Sequence, residues 1–246
     1  MINIQNITKV FDKNVVLDNV SIDIPEGQKL AIVGPSGCGK STLLRLILRL
    51  EDPTSGKILI DNQNVSILSE DALVDLRKKI GMVFQSSALF DSMSVSDNIS
   101  FALREHTNMT ERDIYLKVAE KLALVGLSGK ENLMPSELSG GMQKRVGIAR
   151  ALAFDPKIIL YDEPTAGLDP VTSLNIEKLI NELNKGLKVT SIIVTHQLST
   201  IFRTADKIVM IHEGKLRVTG DAQEAKNSKD PVIRDFMNAG IIDVFK

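Results

Sequence analysis

Cysteine is almost missing from this chain. Cys38 is the only one in 246 residues, so no disulfide can form within it, and pairing gives no reading of compartment. An excess of one charge is missing too. Thirty Lys and Arg face 31 Asp and Glu, a net charge of -1, and no block of like charge occurs. That removes the bulk electrostatic case for nucleic acid as a partner. Long apolar runs are also lacking. The most apolar helical stretch, residues 43–50, is broken by Arg45 and Arg49, so no segment is expected to span a bilayer. Residues 1–14 alternate apolar and polar side chains and have no apolar stretch of the secretory kind. Internal repeats and low-complexity tracts are absent. These absences leave a soluble chain in a reducing, cytosolic setting as the expectation. The hydrophobic content, 43%, is ample for a core, and the length fits one large domain or a core with one insertion.

Two textures are present. Residues 1–10 and 20–24 alternate as antiparallel strands do, with a turn at Pro25-Glu26-Gly27. Residues 29–33 form a short apolar run ending in glycine, which predicts a buried strand. A helix is predicted over residues 40–50, stopped by Asp52-Pro53-Thr54-Ser55-Gly56. Further strands are predicted at 57–60 and 80–84. From about residue 88 to 154 the pattern is largely helical, and strand texture returns at 158–161, 190–195, 207–212 and 215–218. Strands alternating with helices predict a mostly parallel sheet flanked by helices, with the helical middle as an insertion in an α/β core.

The chemistry begins at Gly34-Pro35-Ser36-Gly37-Cys38-Gly39-Lys40-Ser41, which fits G-x-x-x-x-G-K-[ST] and sits after a predicted strand and before a predicted helix. The glycines let backbone N–H groups converge on phosphate oxygens, and the helix start adds its positive end. Lys40 supplies a point charge to the β- and γ-phosphates of a nucleotide, and the Ser41 hydroxyl can ligate Mg2+. Thr42 assists in the first helical turn. Cys38 is read as a small filler, with a reactive thiol as the alternative.

An apolar strand, residues 158–161, ends in two carboxylates, Asp162 and Glu163. Asp162 is placed to hold Mg2+ directly or through water. Glu163 points to the other side and is suited to polarise an attacking water. Gln85 also follows a predicted strand, where it can ligate Mg2+ or water and report the γ-phosphate to the insertion. His196 follows the strand at 191–194 and is placed to bond the γ-phosphate and orient the water. Asp169 either joins two subunits or is an ordinary turn aspartate. Phe11 either stacks on adenine or is a core aromatic.

A second anion cradle follows. Ser139-Gly140-Gly141-Met142 opens an amphipathic helix, with Ser139 placed as its N-cap. One small domain has little use for two phosphate cradles unless the second serves the ATP of another copy.

In its ensemble and order the chain resembles the ATP-binding subunits of ABC transporters. Residues 34–41 look like Walker A and 158–163 like Walker B; Gln85 matches the Q-loop, residues 138–142 the signature, Asp169 the D-loop and His196 the switch histidine. The resemblance covers nearly the whole chain. It implies a P-loop NTPase core of the RecA-like kind at about 1–87 and 154–225. An N-terminal antiparallel β subdomain, a helical subdomain at about 88–153 and a C-terminal extension at about 226–246 complete the implied layout. It further implies Mg-ATP hydrolysis and head-to-tail pairing with a second copy, each ATP lying between one copy's Walker A and the other's signature. Met142 departs from the family, which usually has Gln there, and a thioether cannot make an amide's hydrogen bonds. That departure, with Ser87-Ala88-Leu89-Phe90-Asp91-Ser92-Met93 and Leu103-Arg104-Glu105-His106-Thr107, is similar to the Mla/Mce-type branch. The branch implies lipid cargo, an integral membrane permease, an MCE-domain lipid-binding protein, a small accessory regulator, and a peripheral position on the cytoplasmic face of the inner membrane. Other ABC importers, soluble ABC proteins acting on DNA or ribosomes, and a non-hydrolysing nucleotide switch are the competing readings.

Two surfaces have a physical reading of their own. Ala88, Leu89, Phe90, Met93 and Val95 form an apolar patch beside Gln85, fit to receive a helix of a membrane subunit or to pack the insertion internally. Val232, Ile233, Phe236, Met237, Ile241 and Phe245 recur at helical spacing near the C-terminus and dock on the chain's own core or on a partner.

Overall fold

A computed structural model describes residues 1–242 of the chain. Its elements run β1 (Ile2–Phe11), β2 (Asn14–Ile24), β3 (Lys29–Val33), α1 (Lys40–Ile47), β4 (Ser55–Ile60), β5 (Gln63–Asn64), α2 (Glu70–Lys78), β6 (Ile80–Val83), α3 (Val95–His106) and α4 (Glu111–Leu124). They continue with α5 (Gly140–Ala151), β7 (Ile158–Asp162), α6 (Pro170–Leu187), β8 (Thr190–Val194), α7 (Leu198–Thr204), β9 (Lys207–His212), β10 (Lys215–Gly220), α8 (Ala222–Lys226) and α9 (Pro231–Ile242). Two compact units result, one from residues 1–77 with 190 onward, the other from residues 78–189.

In the first unit β2, β1, β4 and β5 form an antiparallel sheet in that order. Ile2 pairs with Ile24 and with Ile60, so alternate side chains of three strands fall on one buried face. The register slips between Ile4 and Ile7, where Asn6 takes a positive φ of 51°. The strand β2 begins at Asn14, six residues before the alternation at 20–24 announced it, because Val15, Val16 and Leu17 run together as apolar residues and break the binary pattern.

A parallel group occupies the rest of this unit. β3 lies between β8 and β9, both parallel to it, and β10 pairs antiparallel with β9. Leu30, Ala31, Ile32 and Val33 are fully buried, which is why β3 reads as an unbroken apolar run. Ile233 and Met237 of α9 are buried in a cluster with Ala31, Val33, Ile201, Ile208, Met210 and Ala225, and Val232 and Phe236 pack against it. The described part of the C-terminal segment therefore docks on its own unit. Ile241 and Phe245 lie outside the residues whose side chains are described.

In the second unit β6 and β7 pair in parallel, Ile80 with Ile158 and Val83 with Tyr161. Val95, Ile99 and Leu103 of α3, Ile114, Val118 and Leu122 of α4, and Val146 and Ala149 of α5 are buried. Side-chain caps start four helices here. Ser94, Thr110 and Ser139 each accept from the N–H three residues on, and Asp169 accepts from Val171 and Thr172. Residues 85–94 are turns rather than helix, and the first helix of the insertion begins only at Val95.

Candidate nucleotide site

In the first unit, the loop after β3 leads directly into α1. Gly34 has φ 145°, and a Cβ on it would overlap the Ile211 carbonyl oxygen, so only glycine fits there. The Lys40 side chain is buried and donates to the carbonyl oxygens of Gly34 and Pro35 at 2.8 and 2.9 Å. Its ammonium is thereby aimed into the turn of Gly34, Pro35, Ser36, Gly37, Cys38 and Gly39. Pro35, Ser36 and Gly37 are exposed, and Ser41 and Thr42 are half-buried in the first turn of α1. Burial pushes the Cys38 thiol up despite the Lys40 charge beside it, which favours the filler over the reactive thiol.

Strand pairing sets His196 near this loop. Ile32 is paired with Val194, so the residues following β3 and β8 leave the sheet at the same end, and His196 is exposed there. This is the carboxyl end of a parallel group, where α/β proteins bind ligands. Phe11 ends β1 and is 39% exposed, which excludes the core alternative; the Lys9 ammonium lies 4.5 Å from its ring centroid.

In the second unit, the same logic places Gln85 and Glu163. Val83 pairs with Tyr161, so both residues lie two positions beyond a paired strand end. Asp162, the last residue of β7, is half-buried. Glu163 is 8% exposed and takes φ 48°, a left-handed conformation that only surrounding structure can hold in a non-glycine residue. The buried Lys144 ammonium of α5 donates to the Gln85 carbonyl oxygen. Burial pushes that ammonium down, and the negative charge of Glu163 opposes the shift.

The second cradle is a capped helix start. Ser139 accepts from the Met142 N–H at 3.3 Å, and Ser139 and Gly140 are exposed while Gly141 and Met142 are half-buried. A Cβ on Gly141 would meet the Thr172 methyl at 2.6 Å, so this glycine also serves packing against α6. Asp169 Oδ1 accepts from Val171 N at 2.9 Å and Thr172 N at 3.0 Å. The hydrogen bond from Thr172 leads in holding its carboxyl below the usual range.

The proposed Mg2+ donors, the Ser41 hydroxyl, the Gln85 amide oxygen and the Asp162 carboxylate, are all hard oxygens, the set that suits this ion. Among the described residues no cluster of three His, Cys, Asp or Glu side chains forms.

Sequence reasoning missed Lys144, Arg150 and Asn98. Arg150 donates to the Ala88 and Ser87 carbonyls, and the buried Asn98 bonds the main chain of Phe90, Met93 and Ser94. It also misplaced Val95, which is fully buried at the start of α3. The exposed apolar surface is instead carried by Phe84, Ala88, Phe90 and Phe101, with the Phe90 and Phe101 rings 5.5 Å apart.

The ABC transporter family profile matches residues 17–166, more than half of the chain. The intermembrane phospholipid transport system ATP-binding protein MlaF of Escherichia coli K12 is 41% identical over 243 residues, covering 99% of this chain and 90% of the relative. The methionine import ATP-binding protein MetN of Mannheimia succiniciproducens is 42% identical, covering 97% and 70%. A dimeric post-hydrolysis structure of the ATP-binding cassette MJ0796, bound to ADP and Pi, superposes with a TM-score of 0.80 at 35% identity, covering 89% of this chain and 98% of that one. A family profile matched over more than half of the chain, with relatives over 40% identical along nearly all of it, makes the chain a member of the ABC transporter family, one of its ATP-hydrolysing cassettes.

Proposed function

We propose that this cassette powers a transporter that moves phospholipid or a related lipid between membranes. The observation that carries the reading is the 41% identity to MlaF over 243 residues, 99% of this chain. The working division is a catalytic core at about 1–87 and 154–225, a helical subdomain at about 88–153 and a C-terminal extension at about 226–246. The chain sits peripherally on the cytoplasmic face of the inner membrane. No described helix is long and apolar enough to cross a membrane, and in this reading an integral permease provides the passage.

In this reading residues Gly34 to Thr42 bind the phosphates, and Phe11 offers a face to adenine. Ser41 with Asp162 and Gln85 would hold Mg2+, which would supply charge neutralisation to the phosphates. Glu163 accepts the proton of the attacking water and His196 orients that water. Ser139, Gly140 and Gly141 donate to the γ-phosphate bound by a second copy, arranged head-to-tail, and Asp169 faces that copy. Met142 leaves this contact to main-chain groups. The exposed surface at Phe84, Ala88, Phe90 and Phe101 receives a helix of the permease. An MCE-domain protein and a small regulator complete the assembly, and nucleic acid has no place in it.

Affinity purification of the tagged chain from its own membranes tests the cargo class. Recovery of an MCE-domain protein with the permease, and ATP-dependent transfer of labelled phospholipid, is the expected result. Recovery of a small-solute binding protein instead would assign the cassette to an amino-acid importer.

A further inference from the structure

One face of α5 is turned toward main chain rather than toward side chains. Lys144, Gly147 and Arg150 follow one another at intervals of three, and so share that face. Lys144 donates to the Gln85 carbonyl. The two ends of the Arg150 guanidinium reach Ala88 O at 2.6 Å and Ser87 O at 2.8 Å. Between them, a Cβ built on Gly147 lies 3.5 Å from the Ser87 Cβ. Ser87 and Ala88 take positive φ values of 61° and 46°, a turn that points their carbonyls at the helix. Lys144 is 5% and Ser87 3% exposed, so the lysine end of this clamp and its middle are sheltered from water, while Arg150 is half-buried and Ala88 exposed.

The same helix begins at the Ser139-Gly140-Gly141 cradle. Lys144 lies four positions and Arg150 ten positions beyond Gly140 along unbroken helix. A helix of this length moves as a rod. We propose that Lys144 and Arg150 are positioning residues that fix the segment Gln85 to Ala88 to the signature helix, so that both move as one body. Engagement of Ser139 and the glycines by a second copy's nucleotide then displaces Gln85 and the adjoining Phe84, Ala88 and Phe90 surface without a further hinge. The inference rests on the pairing described under the proposed function.

Charge-assisted hydrogen bonds are strong enough for this task where the donor is buried, as the Lys144 ammonium is, and one such bond lost corresponds to about a tenfold effect. Lys144→Met should lower kcat about tenfold and leave the Kd for a fluorescent ATP analogue within about twofold, while Lys144→Arg restores most of kcat. Parallel losses of kcat, analogue binding and Tm, with no rescue by arginine, would reduce Lys144 to a fold-stabilising residue and overturn the proposal.

A second arm does not depend on removing any contact. The Ser87 to Gly147 spacing falls at the lower edge of the roughly 3.5–4.5 Å Cβ separation of disulfides. The double variant Ser87→Cys with Gly147→Cys, oxidised and checked by mass spectrometry, should hydrolyse ATP within about twofold of its reduced form. Loss of turnover on oxidation, recovered with reductant and absent from each single variant, would show that the segment and the helix must slide past one another. The pairing itself is read separately: if Glu163→Gln forms no ATP-dependent dimer in either redox state, the proposed function fails rather than the clamp.

Discussion

Asn98 holds Phe90 by both of its main-chain groups. Its Oδ1 accepts from Phe90 N at 2.8 Å and its Nδ2 donates to Phe90 O at 3.1 Å. The same Nδ2 lies 3.0 Å from the carbonyls of Met93 and Ser94. One buried amide on α3 thus shapes the turn that presents the Phe90 ring. Asn98→Ala should cost roughly 1–3 kcal/mol, as several part-buried main-chain groups lose their partner together. Urea titration would measure it. Recovery of the permease should fall more than ATP binding does.

Glu163→Gln should lower the rate of phosphate release by roughly 10²–10⁴-fold, the range expected for loss of a general base. ATP binding should persist, and light scattering should show ATP-dependent pairs that no longer dissociate. Unchanged phosphate release would remove Glu163 from its role.

Gly34→Ala places a methyl group against the Ile211 carbonyl and asks alanine for φ 145°. Roughly 1–3 kcal/mol of backbone strain follows, besides the overlap. The phosphate loop should lose its shape, with ATP affinity falling at least tenfold while far-ultraviolet dichroism is retained.

Stability should respond to pH through Asp155. Burial alone would raise its carboxyl, but hydrogen bonds from Lys117 and Lys121 outweigh burial and hold it below its ordinary value of 3.8. A depressed folded-state value contributes stability that is present above the ordinary value and is lost as pH falls through the folded one. Lys121 is the counterpart. Burial would lower it, but Asp155 and Glu120 together raise it above 10.5, so its share persists below 10.5 and is lost at still higher pH. The urea midpoint of Asp155→Asn should therefore be less sensitive than the parent's to acidification below about pH 4.

The site was legible where chemistry coincides with strand ends. A glycine-rich stretch after an apolar run, and two carboxylates ending another, mark their own places. Phe11 was half legible: its type marked a base-stacking candidate, and only burial showed that it is not core. The clamp was not legible at all. Lys144 and Arg150 look like solvated helix residues, since a binary pattern scores side chains against side chains, whereas these two face carbonyl groups. Val95 failed for the opposite reason. Its apolar neighbours Phe90 and Met93 belong to a turn, so adjacency in sequence did not put Val95 on their surface.

Asp169 divides its labour between its two oxygens. Oδ1 is spent on the first turn of α6, accepting from both Val171 and Thr172. An asparagine can cap a helix as well as an aspartate does. The helix start thus needs the oxygen more than the charge, and Asp169→Asn would leave α6 anchored while erasing the carboxylate that the bond from Thr172 helps to keep ionised. What that isosteric exchange takes away is the charge alone: the part of it that Thr172 stabilises within the chain and, in the proposed pairing, the part that faces a second copy.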